Sequence, residues 1–168
     1  GGDWRLDTVV AQGCRPIGPV FSIEKVQRNV LLELSDGERR DTPVACLQRV
    51  LADLNSEDRE RVRHSLFLGI ERRNLQLNPE HPAESEGAFL VRNLIGVDPK
   101  NGAVAVADRV RPGMNVQFQL READASREEA LSLLKAAATT DERAPVFGLL
   151  MACLGRGQGL FGVPDGDV

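Results

Sequence analysis

The sequence predicts an α+β fold with a largely antiparallel or mixed sheet of about eight strands and two or three packed helices. Short β-branched or apolar runs recur along the chain, and turn-forming residues join most of them as hairpins. Only a few stretches show helical periodicity. The regular strand–helix alternation of a doubly wound parallel sheet is missing, so that architecture is not expected.

The first third of the chain is predicted to be sheet. Residues 8–15 combine a β-branched start with a glycine, which is typical of a strand that has a bulge or a close backbone approach. Residues 20–26 and 30–34 are strand-like runs separated by three polar residues, so they predict a hairpin. The dipeptide Asp36-Gly37 is expected to turn the chain at the far end of that hairpin.

A helix is predicted next, because Thr42 is a good N-cap and Pro43 fits the first helical position. Asn55 begins a second, highly charged helical stretch, and residues 66–70 are then predicted to be a buried strand. Residues 73–87 are predicted to be a long polar loop. The apolar face of the first helix consists of Val44, Leu47, Val50, Leu51 and Leu54.

The clearest hairpin is predicted over residues 89–107, where a proline and an Asn-Gly step supply the turn. Residues 115–120 alternate apolar and polar side chains, as a half-buried strand does. Ser126 and Glu129 have the spacing of a capping box and predict a third helix. The apolar run at 146–154 is expected to be the last strand.

Composition argues against several classes of function. The chain has 21 Lys and Arg against 25 Asp and Glu, a formal net charge of -4, so nucleic acid is not expected as a partner. No stretch approaches the ~20 apolar residues that span a bilayer and no secretory leader is visible, so no membrane partner is expected. Three cysteines at no metal-type spacing predict free thiols in the reducing cytoplasm.

The glycine-rich turn after the last predicted strand is a candidate anion site. It contains Cys153, Gly155, Arg156 and Gly157, and converging backbone N–H groups with a guanidinium suit a carboxylate or phosphate. The alternative is a tight structural turn in which Arg156 pairs with an internal acid, and spacing alone favours that alternative. The Walker and dinucleotide-binding signatures are both absent from the sequence.

Two further pairs are candidate ligand-binding residues. Cys14 and Arg15 lie in a second turn that contains glycine, cysteine and arginine. We consider a pocket that Arg15 shares with Arg156 of the C-terminal turn. Arg92 and Asn93 interrupt an otherwise apolar strand, so at least one of these side chains is expected to point inward. A buried arginine needs a partner, either a ligand carboxylate or an internal acid, and an exposed edge strand is the remaining alternative.

No catalytic set is visible in the sequence. Cys153 as a nucleophile would need a base, and the two histidines are His64, beside a charged helix, and His81, in the polar loop. A buried structural thiol is the alternative role for Cys153 and for Cys46. The sequence contains no paired acids and no cluster of metal ligands, so no cofactor or metal is expected and the chain is not predicted to be an enzyme.

These residues carry a resemblance that runs through almost the whole chain. The sequence resembles the FIST C-terminal domain of bacterial and archaeal signalling proteins and of some eukaryotic F-box proteins. The resembling stretches keep one order along the chain, which makes the match more specific than any single motif. They are residues 13–19, 29–34, 66–69, 89–96, 108–110 and 153–157.

The resemblance implies a cytoplasmic sensory module that binds a small ligand, such as an amino acid or a related carboxylate, and passes a signal to output domains. Arg92, Asn93, Cys153 and Arg156 are candidate ligand residues, because they match the family pattern and suit a carboxylate. Two alternatives stay open at this point. One is a protein-interaction module for substrate recognition or scaffolding, and the other is a thiol-dependent enzyme that uses Cys153.

The resemblance also implies how the chain divides into domains. A FIST N-terminal domain normally precedes the C-terminal one, and residues 1–12 are expected to be its end. Residues 13–162 are then the C-terminal domain, and residues 163–168 are expected to be a frayed terminus.

Overall fold

The computed structural model describes residues 6–71, 89–140, 145–164 and 166. These residues form two compact units. The barrel unit consists of the described residues of Arg15–Leu120. The terminal unit combines the described residues of Gly1–Cys14 with those of Arg121–Val168.

Seven strands form one antiparallel sheet in the described part of the chain. They are β1 Cys14–Gln27, β2 Val30–Ser35, β3 Arg40–Asp41, β4 Leu66–Glu71, β5 Phe89–Asp98, β6 Ala103–Val106 and β7 Asn115–Arg121. The strand order is β1-β7-β4-β5-β6-β2, and β1 also pairs with β2. Six strands therefore close into a ring, and β3 pairs with the end of β2 beside it.

Two hairpins in this ring were expected from their turn residues, and both are confirmed. In the hairpin of β1 and β2, Val26 lies opposite Leu31, and Arg28 at the turn has a left-handed φ of 60°. In the hairpin of β5 and β6, the left-handed position is Gly102, with φ 66°. Glycine adopts this conformation without a steric penalty, which explains the Asn-Gly step in the sequence.

Two helices precede β4, and both begin at the predicted caps. The first, α1, is Pro43–Asp53, and Thr42 Oγ1 accepts a hydrogen bond from the Ala45 N–H at 3.3 Å. The second, α2, is Ser56–Ser65, and Asn55 Oδ1 accepts from the Asp58 N–H at 2.8 Å. These side chains satisfy N–H groups that the first turn of a helix leaves without a backbone partner.

The strands and one face of α1 form a continuous hydrophobic core. Phe21 and Phe118 meet edge to face in it, with ring centroids 5.8 Å apart and an interplanar angle of 70°. Gly18, at φ 69°, lets β1 approach α1 closely, because a Cβ there would lie 2.4 Å from Val50 Cγ2. The core consists of Ile17, Phe21, Ile23, Leu31, Leu34, Cys46, Val50, Leu68, Ile70, Val106, Val110, Val116, Phe118 and Leu120.

The terminal unit contains mostly helix. Its elements are α3, Ala123–Thr140, a 3-10 helix, Leu154–Arg156, and α4, Gln158–Phe161. The last of these ends at Gly162, which has φ 74° and donates its N–H to Gln158 O at 2.8 Å. With these helices the α+β class predicted from the sequence is confirmed.

Three predictions for individual elements are wrong, and one lies outside the described residues. Residues 146–153 form no strand, and β1 begins at Cys14, so residues 8–13 are not part of a strand. Ser126 is not an N-cap, because α3 begins three residues earlier and the Ser126 N–H donates to Glu122 O within its first turn. The polar loop predicted at 73–87 lies outside the residues that the structure describes.

Candidate functional site

In the terminal unit, the segment that enters β1 is held by a carboxylate of α3. The N–H groups of Gln12 and Gly13 both donate to Glu129 Oε2, at 2.8 and 2.6 Å. Gly13 O in turn accepts the N–H of Glu122 at 3.3 Å. A carboxylate that accepts two backbone N–H groups forms strong charge-assisted hydrogen bonds, so residues 12–14 are fixed against the start of the helix.

Gly13 is the residue that allows this close approach. Its φ of 68° is left-handed, and a Cβ at this position would lie 2.6 Å from Ser126 Oγ and 3.1 Å from Arg156 Nη1. Any larger residue would be strained and would displace one of these two side chains. Gly13 therefore brings a hydroxyl and a guanidinium together beside its own backbone.

Cys14 follows directly and faces two arginines of the same unit. Its side chain is half-buried, and Sγ lies 3.7 Å from Gln12 O. Burial raises the pKa of this thiol above its ordinary value of 9.0, although a hydrogen bond and charge from Arg121 and the charge of Arg156 oppose the rise. The thiol is therefore protonated at neutral pH and has guanidinium groups as neighbours.

A second glycine makes room for Arg121. Gly155 lies in the 3-10 helix, and a Cβ there would be 2.7 Å from Arg121 Nη1 and 3.7 Å from Cys153 Sγ. Arg156, the next residue, places its guanidinium carbon 5.7 Å from the ring centroid of Phe161, which is a cation–π distance. The two glycine turns thus each pack against one arginine.

Ser126 completes this group of side chains. It has 0% exposed surface, and within the described part of the chain its Oγ has no hydrogen-bond partner. A buried hydroxyl without a partner costs about 1–3 kcal/mol, so such groups call for an explanation. We name the group Cys14, Arg121, Ser126, Glu129 and Arg156 the arginine–thiol cluster.

The residues predicted at the C-terminal turn divide between the cluster and the surface. Arg156 belongs to the cluster and Gly155 packs on it. Cys153 is exposed, and its carbonyl accepts the Arg156 N–H at 3.0 Å. Gly157 precedes α4, and a Cβ there would meet open space. Of the two predicted cysteines, Cys14 is the one that lies among the arginines.

The remaining predicted residues lie in the barrel unit. Arg15 Nη2 forms an ion pair with Asp58 Oδ1 at 2.6 Å. Arg92 Nε forms one with Asp108 Oδ2 at 2.7 Å, which is the internal ion pair that the sequence left open as an alternative. Asn93 is exposed on β5. A pocket shared by Arg15 and the C-terminal turn stays a prediction.

Three members of the cluster were not predicted to be ligand-binding residues. Arg121 ends β7, where it was taken as part of no motif. Ser126 and Glu129 were recognised by their capping-box spacing, but Glu129 reaches the N–H groups of residues 12 and 13. A glutamate three residues after a serine at the start of a helix fits a capping box, in which the glutamate accepts the N–H of the serine. The same spacing also fits what the structure shows, where the glutamate accepts N–H groups from a distant segment.

The barrel unit has a cleft of about 240 Å³ beside α1. Arg49 in its wall is already engaged, with Asp41 Oδ2 at 2.9 Å and Asp36 Oδ2 at 3.5 Å. None of the predicted site residues lines this cleft, which is formed by Gly18, Pro19, Phe21, Asp36, Arg49, Val50, Asp53 and Leu54.

The described residues contain no group of three or more His, Cys, Asp or Glu side chains placed to hold a metal ion. Their helices also include none that is both long enough and apolar enough to cross a membrane.

Comparison with known families decides the family of the chain. The FIST C domain model matches residues 43–167, which is most of the sequence. This chain belongs to the FIST C domain family. The FIST N domain model matches residues 1–37. These two matches confirm the resemblance drawn from the sequence. FIST domains are sensory domains of signalling proteins.

Relatives of this FIST C domain chain occur in mycobacteria. An uncharacterized protein of Mycobacterium tuberculosis is 37% identical over 161 residues, which cover 95% of this chain and 39% of that protein. An uncharacterized protein of Mycobacterium bovis is 36% identical over 161 residues, with the same coverage. The chain therefore spans 39% of the length of these curated relatives. No solved structure matches it.

The two family matches meet inside the ring of strands. Both β1 and β2 lie in the part matched by the FIST N domain model, whereas β4 to β7 lie in the part matched by the FIST C domain model. The ring therefore includes strands from both matches. The predicted domain boundary after residue 12 stays a prediction.

Proposed function

We propose that this FIST C domain chain is a sensory domain that binds a small carboxylate, such as an amino acid, at the arginine–thiol cluster. The observation that supports this most strongly is the placement of Arg121 and Arg156 around Cys14, beside the buried hydroxyl of Ser126. Guanidinium groups bind carboxylates through paired, charge-assisted hydrogen bonds. These guanidinium groups are half-buried, so a ligand that supplies the matching acceptors can reach them from solvent.

Each cluster member receives a role in the proposal. The two arginines bind the ligand carboxylate, and the Ser126 hydroxyl and the Cys14 thiol supply further hydrogen bonds. Glu129 uses Oε2 for the N–H groups of residues 12 and 13, and we assign Oε1 to the amino group of an amino acid. Nothing in this scheme requires a bond to be made or broken, so the proposal includes no catalytic step.

The proposal also suggests how binding is passed on. The cluster joins three segments that are far apart in sequence, namely the entry to β1, the start of α3 and the 3-10 helix. A ligand held by all three stabilises one arrangement of them over others. Output domains or proteins that contact any of these segments would then respond to the ligand.

A thermal-shift screen tests the proposal directly. The panel consists of the common amino acids and small mono- and dicarboxylic acids. A binder present at a hundred times its Kd is expected to raise the free energy of unfolding by about 2.7 kcal/mol. If no member of the panel stabilises the chain, the proposed ligand class is wrong.

Variants locate the site. We expect Arg156→Ala and Arg121→Ala each to weaken binding about tenfold or more, because each removes a charged hydrogen bond worth about 1.5–3 kcal/mol. Arg92→Ala is the matched control, since it removes an arginine whose ion pair lies in the barrel unit. A ligand whose Kd is the same for Arg156→Ala and wild type binds elsewhere, and the cluster is then not the site.

A second candidate function is a protein-interaction module, and one observation favours it. Residues 146–151 include large apolar side chains with most of their surface exposed. The third possibility, a thiol-dependent enzyme using Cys153, stays a prediction. It requires a histidine within hydrogen-bond reach, and His64 is exposed in the barrel unit whereas His81 lies outside the described residues.

A further inference from the structure

The turn between β5 and β6 contains a reactive pair of residues, Asn101 and Gly102. Asparagine is a thermolabile residue, because the backbone nitrogen of the next residue attacks the carbon of its side-chain amide. A side chain on that next residue obstructs the attack, and glycine has none. Asn101 is also the one asparagine in the sequence that precedes a glycine, so this chemistry is expected at a single position.

The structure leaves the pair open to reaction. Asn101 is exposed, and the Gly102 N–H donates no hydrogen bond to any of the described residues. The nitrogen therefore gives up no hydrogen bond to them when it reacts. Asn29, at the turn between β1 and β2, differs in both respects. It is half-buried, and the β-branched residue that follows it, Val30, pairs with Gln27 in the sheet.

We propose that Asn101 is a site of spontaneous deamidation, and that the reaction releases the start of α1 from the turn between β5 and β6. The Gly102 nitrogen forms a bond to Asn101 Cγ, and the side-chain amide leaves as ammonia with the proton that the Gly102 nitrogen gives up. Water then opens the cyclic imide. If it cleaves the bond to Cγ, residue 101 becomes aspartate. If it cleaves the bond to the backbone carbonyl, the chain continues through the side chain as iso-aspartate.

Both products change the charge of the turn. Asn101 Nδ2 donates to Asp98 Oδ2 at 2.7 Å, and Asp98 Oδ1 accepts the N–H groups of Lys100 and Asn101 at 3.0 and 3.3 Å. These hydrogen bonds hold the pKa of Asp98 below its ordinary value of 3.8, so its carboxylate is ionised at neutral pH. Deamidation removes the side-chain donor and adds a second carboxylate to the turn, and the two carboxylates repel each other.

The same turn holds the start of α1. Gly102 O accepts the Val44 N–H at 3.1 Å, and a Cβ at Gly102 would lie 2.4 Å from Oγ1 of Thr42, the N-cap of the helix. Iso-aspartate adds a CH2 group to the backbone directly before Gly102, which moves the glycine out of the position that both contacts require. The product therefore loosens the first turn of a helix whose buried face belongs to the barrel core.

Peptide mapping by mass spectrometry tests the reaction. The full chain is kept folded in mildly alkaline buffer for several weeks and then digested. The peptide that contains Asn101 is expected to gain the mass difference between an amide and a carboxylic acid, and to separate into an aspartate and an iso-aspartate form. Asn29 is the matched control in the same samples, because it also lies at a hairpin turn, and it is expected to stay intact.

Two variants connect the reaction to the helix. Asn101→Gln keeps a side-chain amide but places its carbon one bond further from the Gly102 nitrogen, so this chain is expected to stay unmodified. Asn101→Asp has the charge of the ordinary product without the iso-aspartate backbone. After the same incubation, hydrogen exchange in the first turn of α1 is expected to be fastest in the wild-type chain, slower in Asn101→Asp and slowest in Asn101→Gln.

Two outcomes overturn the proposal. One is a folded chain in which Asn101 stays intact, or reacts no faster than Asn29, while the same chain unfolded in urea is modified at Asn101 over the same period. The folded turn then protects the pair. The other is a chain that is modified at Asn101 but exchanges in the first turn of α1 as slowly as Asn101→Gln, because the turn then does not hold the helix.

Discussion

The barrel unit and the terminal unit solve the problem of stability in different ways. In the barrel unit, a closed ring of strands and the face of α1 enclose a core of fourteen buried apolar residues among those described. Among the described residues of the terminal unit, Phe161, at 8% exposed, is the one buried large hydrophobic residue. Most of the apolar burial that stabilises the fold therefore lies in the barrel unit, whereas the cluster to which we assign binding lies in the terminal unit.

The difference also shows in how each unit uses its polar residues. Arg15, Arg49 and Arg92 of the barrel unit are all held in ion pairs with aspartates, as structural arginines are. In the terminal unit, the Ser126 hydroxyl is buried, and the described residues provide no hydrogen-bond partner for it. A buried polar group of this kind is common at binding sites, where a protein accepts a local loss of stability.

The largest effect is expected from cutting the chain at the boundary of the two family matches. A chain of residues 43–168 lacks β1, β2 and β3 and keeps four ring strands as an open sheet, with unpaired edges at β7 and β6. We expect it to lose cooperative thermal unfolding, whereas a chain starting at residue 13 keeps it. If the shorter chain melts as sharply as the full one, the ring is not the unit of stability.

A smaller effect is expected from single truncations of apolar side chains. Phe118→Ala in the barrel core is expected to cost about 3–5 kcal/mol of unfolding free energy, because it leaves a cavity. Leu149→Ala in the exposed segment is expected to change it by less than about 0.5 kcal/mol. Urea denaturation at low protein concentration gives both values, and similar losses for the two variants would contradict the comparison of the units.

Two serine substitutions compare the polar groups of the two units, and each is expected to change the free energy of unfolding by about 1 kcal/mol. Ser126→Ala is expected to stabilise the ligand-free chain by that amount, since it removes a buried hydroxyl without a partner, and to weaken ligand binding. Ser35→Ala is expected to destabilise it, because Ser35 Oγ accepts the Gly37 N–H at 3.1 Å. A destabilised Ser126→Ala chain would show that the hydroxyl has a structural partner.

The smallest effect concerns the thiols. Burial raises the pKa of Cys14 and of Cys46 above 9.0, so both thiols are expected to react slowly with iodoacetamide at neutral pH. Cys153 is exposed and is expected to react first. Because the folded chain holds these protons more tightly than the unfolded chain, the two thiols contribute to the free energy of unfolding. That contribution is full below pH 9.0 and is lost as the pH rises through the raised folded-state pKa. Mass spectrometry of labelled peptides gives the order, and Cys14 labelling as fast as Cys153 contradicts it.

Local signals predicted the parts of the fold that depend on neighbours in sequence. Thr42 and Asn55 begin helices because a cap needs only the next few residues, and Gly102 makes its hairpin turn for the same reason. The run at 146–154 failed as a strand because an apolar run favours a strand only where another strand pairs with it, and no described strand does so.

The candidate site could be predicted only in part. Cys14 and Arg156 were identified because each lies beside a glycine in the sequence, and the structure shows that Gly13 and Gly155 pack closely on side chains of the cluster. Arg121 and Glu129 were missed, because they come near Cys14 only after the chain has folded over more than a hundred residues. No periodicity or spacing signals a contact of that range.

The closure of the ring has a consequence for how the protein is made. The Ile23 N–H donates to Met114 O at 2.9 Å, and Gln117 Nε2 donates to Gly18 O at 2.9 Å, so the first strand is joined to the last. A ribosome adds about 5–20 residues per second, so the first hairpin waits on the order of 5–20 s for its final neighbour. During that time the apolar face of the hairpin has no core to pack against, so the hairpin stays open to non-native contacts until β7 has been made.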